Sequence, residues 1–243
     1  ISLGLVGSEM CIRDRLTLMD KEFSPSGVIY DMDGLLLDTE PFYTLVTQQI
    51  AQRYGKNFDW SLKSKILGRR ALESARMIVE TLELPLSAEE YLEQRNEILL
   101  DMFSDCQPLP GVVKLTRHLA EAGIPQAVAT SSKREMLEAK IANHLEWFSL
   151  FQTIVTGDDP EVKEGKPAPD IFLVAAKRVG ADPKKCLAFE DAPTGTVAAH
   201  AAGMAVIAIP DENMDKKLYP EASKILDSME EFLPELWGFP AYN

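Results

Sequence analysis

Two aspartates separated by one residue, Asp31 and Asp33, follow the apolar run 28–30 and precede Gly34. In a strand, residues i and i+2 point to the same side, and glycine then lets a ligand approach the backbone closely. Two such carboxylates can share a hard cation, or one can attack an electrophile while the other moves a proton. The alternative is a strand that ends in a solvated acidic turn, and these residues alone leave both interpretations open.

Further polar side chains follow the later apolar runs of the chain. Thr130 and Ser131 precede a predicted helix, whose N-terminal N–H groups would bind phosphate well. Lys166 stands between a glycine and a proline, where a stiff backbone could hold it against a phosphate oxygen and a carboxylate. Glu190 and Asp191 close another apolar run. Each has a plain alternative, a helix cap or a surface lysine, but together they predict metal-assisted phosphoryl transfer.

From about residue 112 onward, short apolar runs alternate with segments of helical periodicity. The strands and helices that this pattern predicts must position the residues named above. This alternation predicts an α/β fold with a doubly wound parallel sheet, in which ligands bind beyond the carboxyl ends of the strands. Predicted helices cover 112–122, 133–143, 169–179 and 194–202, and predicted strands cover 28–30, 127–129, 153–155, 186–189 and 205–209.

The segment 42–103 has helical periodicity and lies between the first two predicted strands. It is too long for a simple crossover, so we predict an inserted all-helical cap domain over 42–108 and a core domain over 16–41 and 109–243. Residues 1–15 resemble translated adaptor sequence, and we expect them to be a non-native extension of a protein that starts near Met19.

The composition limits the partners of the chain. Its 243 residues carry a net charge of −13, which argues against a broad basic face for nucleic acid or an anionic membrane. No apolar run approaches the roughly 18 residues of a membrane span. The three widely spaced cysteines favour reduced thiols and a cytoplasmic location. We expect a monomer that acts on a small molecule.

The chain resembles the phosphatases of the haloacid dehalogenase superfamily that carry a helical cap. The resemblance rests on four motifs in order, which are Asp31-Met32-Asp33-Gly34, Thr130, Lys166 and Glu190-Asp191. The segments 157–162, 189–193 and 234–240 look like the pseudouridine-5'-phosphatase-like branch. The resemblance implies the Rossmann-like core of that superfamily and hydrolysis of a phosphomonoester.

The resemblance also implies roles for single residues. Asp31 would be the nucleophile that forms an aspartyl-phosphate, and Asp33 would protonate the leaving alcohol and then activate water. Mg2+ would be held by Asp31, the backbone carbonyl of Asp33 and Asp191. Glu190 would lie next to these ligands without binding the metal itself.

Two residues of the later motifs would handle the phosphate. Thr130 would hold it together with the backbone N–H of Ser131, and Lys166 would offset the repulsion between the nucleophile and the incoming anion.

The substrate implied by the resemblance is pseudouridine 5'-phosphate or a related small ester, with sugar phosphates, glycerol phosphate and flavin mononucleotide as alternatives. The β-phosphoglucomutases are similar in motifs but have a cap histidine where this chain has Tyr43, which favours hydrolysis over mutase chemistry. A non-catalytic phosphate-binding protein is the third alternative. Arg69 and Arg70 in the cap could contact substrate, or they could simply be solvated.

Overall fold

The computed structural model describes residues 25–66 and 71–242, and six parallel strands form one sheet in the order β3-β2-β1-β4-β5-β6. The strands are β1 (Gly27–Tyr30), β2 (Gln126–Ala129), β3 (Thr153–Val155), β4 (Cys186–Glu190), β5 (Ala205–Ala208) and β6 (Lys224–Ile225). The first five were predicted to within a residue or so. β6 was not predicted, because it consists of two half-buried residues without an apolar run.

Four helices are inserted between β1 and β2. They are α1 (Glu40–Arg53), α2 (Trp60–Ile66), α3 (Ala71–Thr81) and α4 (Ala88–Met102). α4 begins with a capping box, in which the Ser87 side chain accepts from the Glu90 backbone N–H and Glu90 accepts from that of Ser87. The helical segment starts two residues before the predicted position 42, because Pro41 fits the first turn of α1.

The remaining helices cover both faces of the sheet, so the predicted doubly wound α/β fold is confirmed. They are α5 (Val112–Glu121), α6 (Arg134–Ile141), α7 (Leu145–Phe148), α8 (Asp170–Arg178) and α9 (Pro193–Ala201). Short 3-10 turns complete the chain, among them Phe103–Asp105 and Pro234–Trp237.

The central strands β1, β2 and β4 are buried on both faces, and their alternate residues enter two separate cores. Val28 and Tyr30 of β1 pack into the larger core with α5 and the inserted helices, whereas Ile29 packs into the smaller core with α8 and α9. This alternation follows from the two-residue period of a strand. It fixes the register of the strands and therefore the positions of the residues that follow them.

Among the described residues, no helix is both long and apolar enough to cross a membrane.

Candidate active site

The parallel register brings three strand ends to one edge of the sheet. Tyr30 pairs with Val128 of β2 and with Phe189 of β4, and the Asp31 backbone N–H continues the ladder with a 3.0 Å hydrogen bond to the Phe189 carbonyl. The residues after β1, β2 and β4 are therefore neighbours at the carboxyl edge, as the sequence predicts.

Lys166 arrives from the loop after β3 and lies at the centre of this edge. Its Nζ lies 2.5 Å from Asp31 Oδ1, 2.6 Å from Glu190 Oε1 and 3.0 Å from the Ala129 carbonyl oxygen. One buried ammonium thus joins the ends of β1, β2 and β4. Because a buried charge requires partners, the loop that carries Lys166 is fixed against the sheet.

Three carboxylates, those of Asp31, Glu190 and Asp191, form a cluster in which one oxygen of each lies within 4.8 Å of the others. Burial raises the pKa of Asp31 to about 7, with Lys166 opposing and Glu190 adding to the rise. Burial and then Asp31 raise the pKa of Asp191 well above its usual range.

The cluster therefore has more negative charge than Lys166 can balance. Its donors are hard oxygens, which are the ligands that Mg2+ prefers. The residues of this site fit a bound Mg2+.

Glu190 is fully buried, and both of its carboxylate oxygens already have protein partners. Oε1 accepts from Lys166, and Oε2 accepts from the backbone N–H groups of Asp191 and Ala192 at 3.1 Å each. Glu190 therefore orients the lysine and the loop that carries Asp191, and its predicted place next to the metal ligands stays a prediction.

Gly34 makes room for Asp191. Its φ is +79°, which favours glycine, and a Cβ at this position would lie 2.5 Å from Asp191 Oδ2. The glycine of the first motif is thus required both by the turn after β1 and by the carboxylate that faces it.

The Asp33 carboxylate has a separate set of hydrogen-bond partners. Its Oδ1 accepts from Lys140 Nζ on α6, and its Oδ2 accepts from Ser132 Oγ at 2.9 Å and, at a long 3.4 Å, from Thr130 Oγ1. Burial acts to raise the pKa of Asp33, but the charge and hydrogen bond of Lys140, with the Ser132 hydroxyl, lower it overall. The two aspartates of the first motif therefore have different lysines and different protonation preferences.

Sequence reasoning missed Lys140 and Ser132. Ser131, the predicted phosphate contact, is exposed at the sheet edge, while its neighbour Ser132 points to Asp33. Lys140 falls inside the predicted helix 133–143, and no role was predicted for it. Its position ten residues after Thr130 gives no local signal, since only the packing of α6 on the core shows that it is buried.

The remaining predicted residues lie nearby or outside the described part. Tyr43, on α1, accepts a 3.2 Å hydrogen bond from Lys140 through its hydroxyl. Arg95 of α4 lies over the Tyr43 ring, 5.2 Å from its centroid. Arg69, Arg70 and the predicted extension 1–15 lie outside the described residues.

The segment 157–162 forms a charged turn rather than part of the carboxylate cluster. Asp158 accepts from the Arg134 backbone N–H at the start of α6. Asp159 binds Arg178 of α8 through two hydrogen bonds of 2.7 and 2.9 Å, and Glu161 binds the same guanidinium at 2.8 Å. This segment ties the loop before Lys166 to α8.

Comparison with known proteins agrees with this geometry. The haloacid dehalogenase-like hydrolase family matches residues 25–203. The chain belongs to this family. It is 49% identical over 221 residues to (DL)-glycerol-3-phosphatase 1, mitochondrial, of Arabidopsis thaliana, covering 89% of this chain and 74% of that protein.

A second curated relative is a probable pseudouridine-5'-phosphatase of Drosophila melanogaster, 45% identical over 88% of this chain and 94% of that one. The crystal structure of a family IA, variant 3 haloacid dehalogenase hydrolase from Entamoeba histolytica has a TM-score of 0.75 at 26% identity, covering 88% of this chain and 97% of that one. The resemblance stated from the motifs is confirmed, and the chain is an enzyme, a phosphatase of this family.

Proposed function

We propose that this protein is a Mg2+-dependent phosphomonoester hydrolase that acts through an aspartyl-phosphate on Asp31. The observation that carries the proposal is the placement of Lys166 between Asp31 and Glu190, with Asp191 beside them and Asp33 held separately. This arrangement offers a nucleophile, a cation site and an independent proton carrier at one edge.

Asp31, Asp191 and the backbone carbonyl of Asp33 would hold Mg2+, which when bound supplies positive charge next to the phosphoryl group. The Asp31 carboxylate attacks phosphorus, and Lys166 offsets the repulsion between the two anions. Thr130 and the backbone N–H of Ser131 hold the phosphate oxygens.

Asp33 serves both halves of the reaction. In the first half it gives a proton to the departing alcohol oxygen, and in the second it takes a proton from the water that attacks the aspartyl-phosphate. The ionised form, which Lys140 favours in this structure, is the form that activates water.

Two alternatives have less support. A mutase would need a cap group able to move a proton to the sugar, and Tyr43 instead shares its hydroxyl with Lys140. A non-catalytic phosphate-binding protein would not need a nucleophile, and the complete set of Asp31, Asp33, Lys166 and Asp191 argues against it.

The substrate is proposed to be a small phosphate ester selected by the inserted helices, which would act as a cap over residues 42–108. The segments 189–193 and 234–240 favour pseudouridine 5'-phosphate. However, Trp237 is buried beside Phe232, so the second segment contributes to packing. The higher identity to the glycerol-3-phosphatase makes glycerol 3-phosphate an equal candidate.

One assay tests the reaction and a second one tests the substrate. Hydrolysis of p-nitrophenyl phosphate should require Mg2+ and should be lost in Asp31→Asn, and full turnover by that variant would refute the mechanism. The kcat/KM values for pseudouridine 5'-phosphate, uridine 5'-phosphate, glycerol phosphate, flavin mononucleotide and 2-deoxyglucose 6-phosphate should then rank the substrates. If pseudouridine 5'-phosphate is not preferred, the branch prediction is wrong while the phosphatase proposal stands.

A further inference from the structure

Lys140 is a fully buried lysine that touches none of the reacting atoms in the proposed reaction. Its side chain has no exposed surface, whereas the Asp33 carboxylate to which it donates keeps 24% of its side chain exposed. A reactant could therefore reach Asp33 but not Lys140. Any effect of this lysine on the reaction must act through the residues that it contacts.

Those contacts come from separate parts of the chain. Lys140 Nζ donates to Asp33 after β1, to Ser132 Oγ after β2 at 2.8 Å and to Tyr43 OH on α1 at 3.2 Å. It also lies 4.5 Å from the centroid of the Phe103 ring, just after α4. The ammonium thus fixes the Asp33 carboxylate relative to the phosphate-binding end of β2 and to the inserted helices.

A role in stability alone does not account for this pair. A buried ion pair loses its hydration, and replacing it by apolar side chains is often neutral or stabilising. The Asp33 carboxylate also has the Ser132 hydroxyl as a partner. The lysine is better explained if the reaction requires the Asp33 carboxylate to be held in one position.

We propose that Lys140 is a positioning residue for Asp33, which it holds, together with Ser132, where the carboxylate can activate the water that cleaves the aspartyl-phosphate. The inference rests on the proposed function. Water activation requires the base within hydrogen-bonding reach of the water, so a displaced carboxylate slows this half-reaction while Asp31 and Lys166 can still form the aspartyl-phosphate.

The test uses p-nitrophenyl phosphate, whose acidic leaving group departs without a proton donor. For Lys140→Met we expect kcat to fall by about 10²-fold or more. We expect kcat/KM, which reports on the steps through aspartyl-phosphate formation, to change by less than about 10-fold. Rapid mixing should show a burst of nitrophenol near one equivalent per enzyme. Lys177→Met, at an exposed ion pair with Glu161, is the control and should match the wild type.

Ser132→Ala provides a second variant, because it removes one hydroxyl between the same two side chains without leaving a buried charge. It should show the same split, with a smaller fall in kcat, and it decides the matter if Lys140→Met does not fold. Equal losses in kcat and kcat/KM without a burst, or wild-type kinetics, would overturn the positioning role. Failure of the proposed function is distinct, since wild-type protein would then show no Mg2+-dependent turnover at all.

Discussion

Gly195 lies so close to Glu190 that a Cβ on the glycine would come within 1.8 Å of Glu190 Oε1. Gly195 is in the first turn of α9, and the same oxygen accepts from Lys166. The helix can approach β4 only because this residue has no side chain, so the position of the central lysine depends on it.

We expect Gly195→Ala to destabilise the protein by about 1–3 kcal/mol through overpacking. At an unobstructed helical position the same change stabilises by about 0.5–1 kcal/mol, so the sign alone is informative. Urea unfolding measures the difference, and kcat should fall because Glu190 must move. Val197→Ala, on the half-exposed side of the same helix, is the control. A stabilised, fully active Gly195→Ala variant would contradict the close approach.

Lys166→Met should be among the most damaging single substitutions in the described part of the chain. It leaves the buried carboxylates of Asp31 and Glu190 without their shared cation, and breaking a buried pair on one side costs about 3–5 kcal/mol. Chemical unfolding of metal-free protein checks the value, and turnover should be lost. Lys163→Met, three residues away and exposed, should change the free energy of unfolding by less than about 0.5 kcal/mol. Comparable effects of the two substitutions would rule out a special role for Lys166.

If the carboxylate cluster binds Mg2+ as proposed, Asp191 should determine how the stability of the protein responds to this ion. Because an oxygen of its half-buried carboxyl group lies within 4.8 Å of oxygens of Asp31 and Glu190, Asp191→Asn removes repulsion and should raise the melting temperature of the metal-free protein. In the wild type, Mg2+ at about 100 times its Kd should add about 2.7 kcal/mol to the free energy of unfolding, and the variant should lose this gain.

Thermal unfolding with and without Mg2+ at constant ionic strength separates the two effects. Asp101→Asn, which changes an exposed carboxylate on α4, should keep the full Mg2+ response. If Asp191→Asn keeps it as well, the cation does not bind at this cluster.

The strand ends could be predicted from the sequence because each depends on local information. A short apolar run followed by Asp31, Thr130 or Glu190 places a polar group at the carboxyl edge of a parallel sheet, whatever the rest of the chain does. The order β3-β2-β1-β4-β5 then brings these groups together. The sequence predicts that Lys166 contacts a phosphate oxygen and one carboxylate, whereas its contacts with a second carboxylate and with the Ala129 carbonyl were not predicted.

The second half of the site could not be predicted, because it depends on tertiary packing. Lys140 lies on a helix with alternating charged residues, where a lysine is normally solvated. It is buried because α6 packs on the turn Phe103–Asp105 and on α4, and because Asp33, Ser132 and Tyr43 lie against its ammonium group. Likewise, the choice between Ser131 and Ser132 as the residue that points toward Asp33 depends on the exact direction of the chain after β2, which a run of hydroxyl residues leaves open.

The pair Asp159–Arg178 should make stability depend on pH. The Arg178 guanidinium, through its hydrogen bonds, holds the pKa of Asp159 below its usual range. A carboxylate with a lowered pKa in the folded state contributes stability above its unfolded pKa of about 3.9, and this contribution is lost as the pH falls through the folded value.

We therefore expect Asp159→Asn to lower the free energy of unfolding by about 1–2 kcal/mol near neutral pH, where the charged hydrogen bonds are complete. The difference between wild type and variant should shrink below about pH 4 and vanish once Asp159 is protonated in both states of the wild type. Urea titrations across this range measure it, and subtraction cancels the carboxylates common to both proteins. Glu161 also forms an ion pair with Arg178, but its side chain is more exposed than that of Asp159. Glu161→Gln should therefore lower the free energy of unfolding by less than Asp159→Asn does. A difference independent of pH would show that Asp159 acts through its shape and backbone contacts instead of its charge.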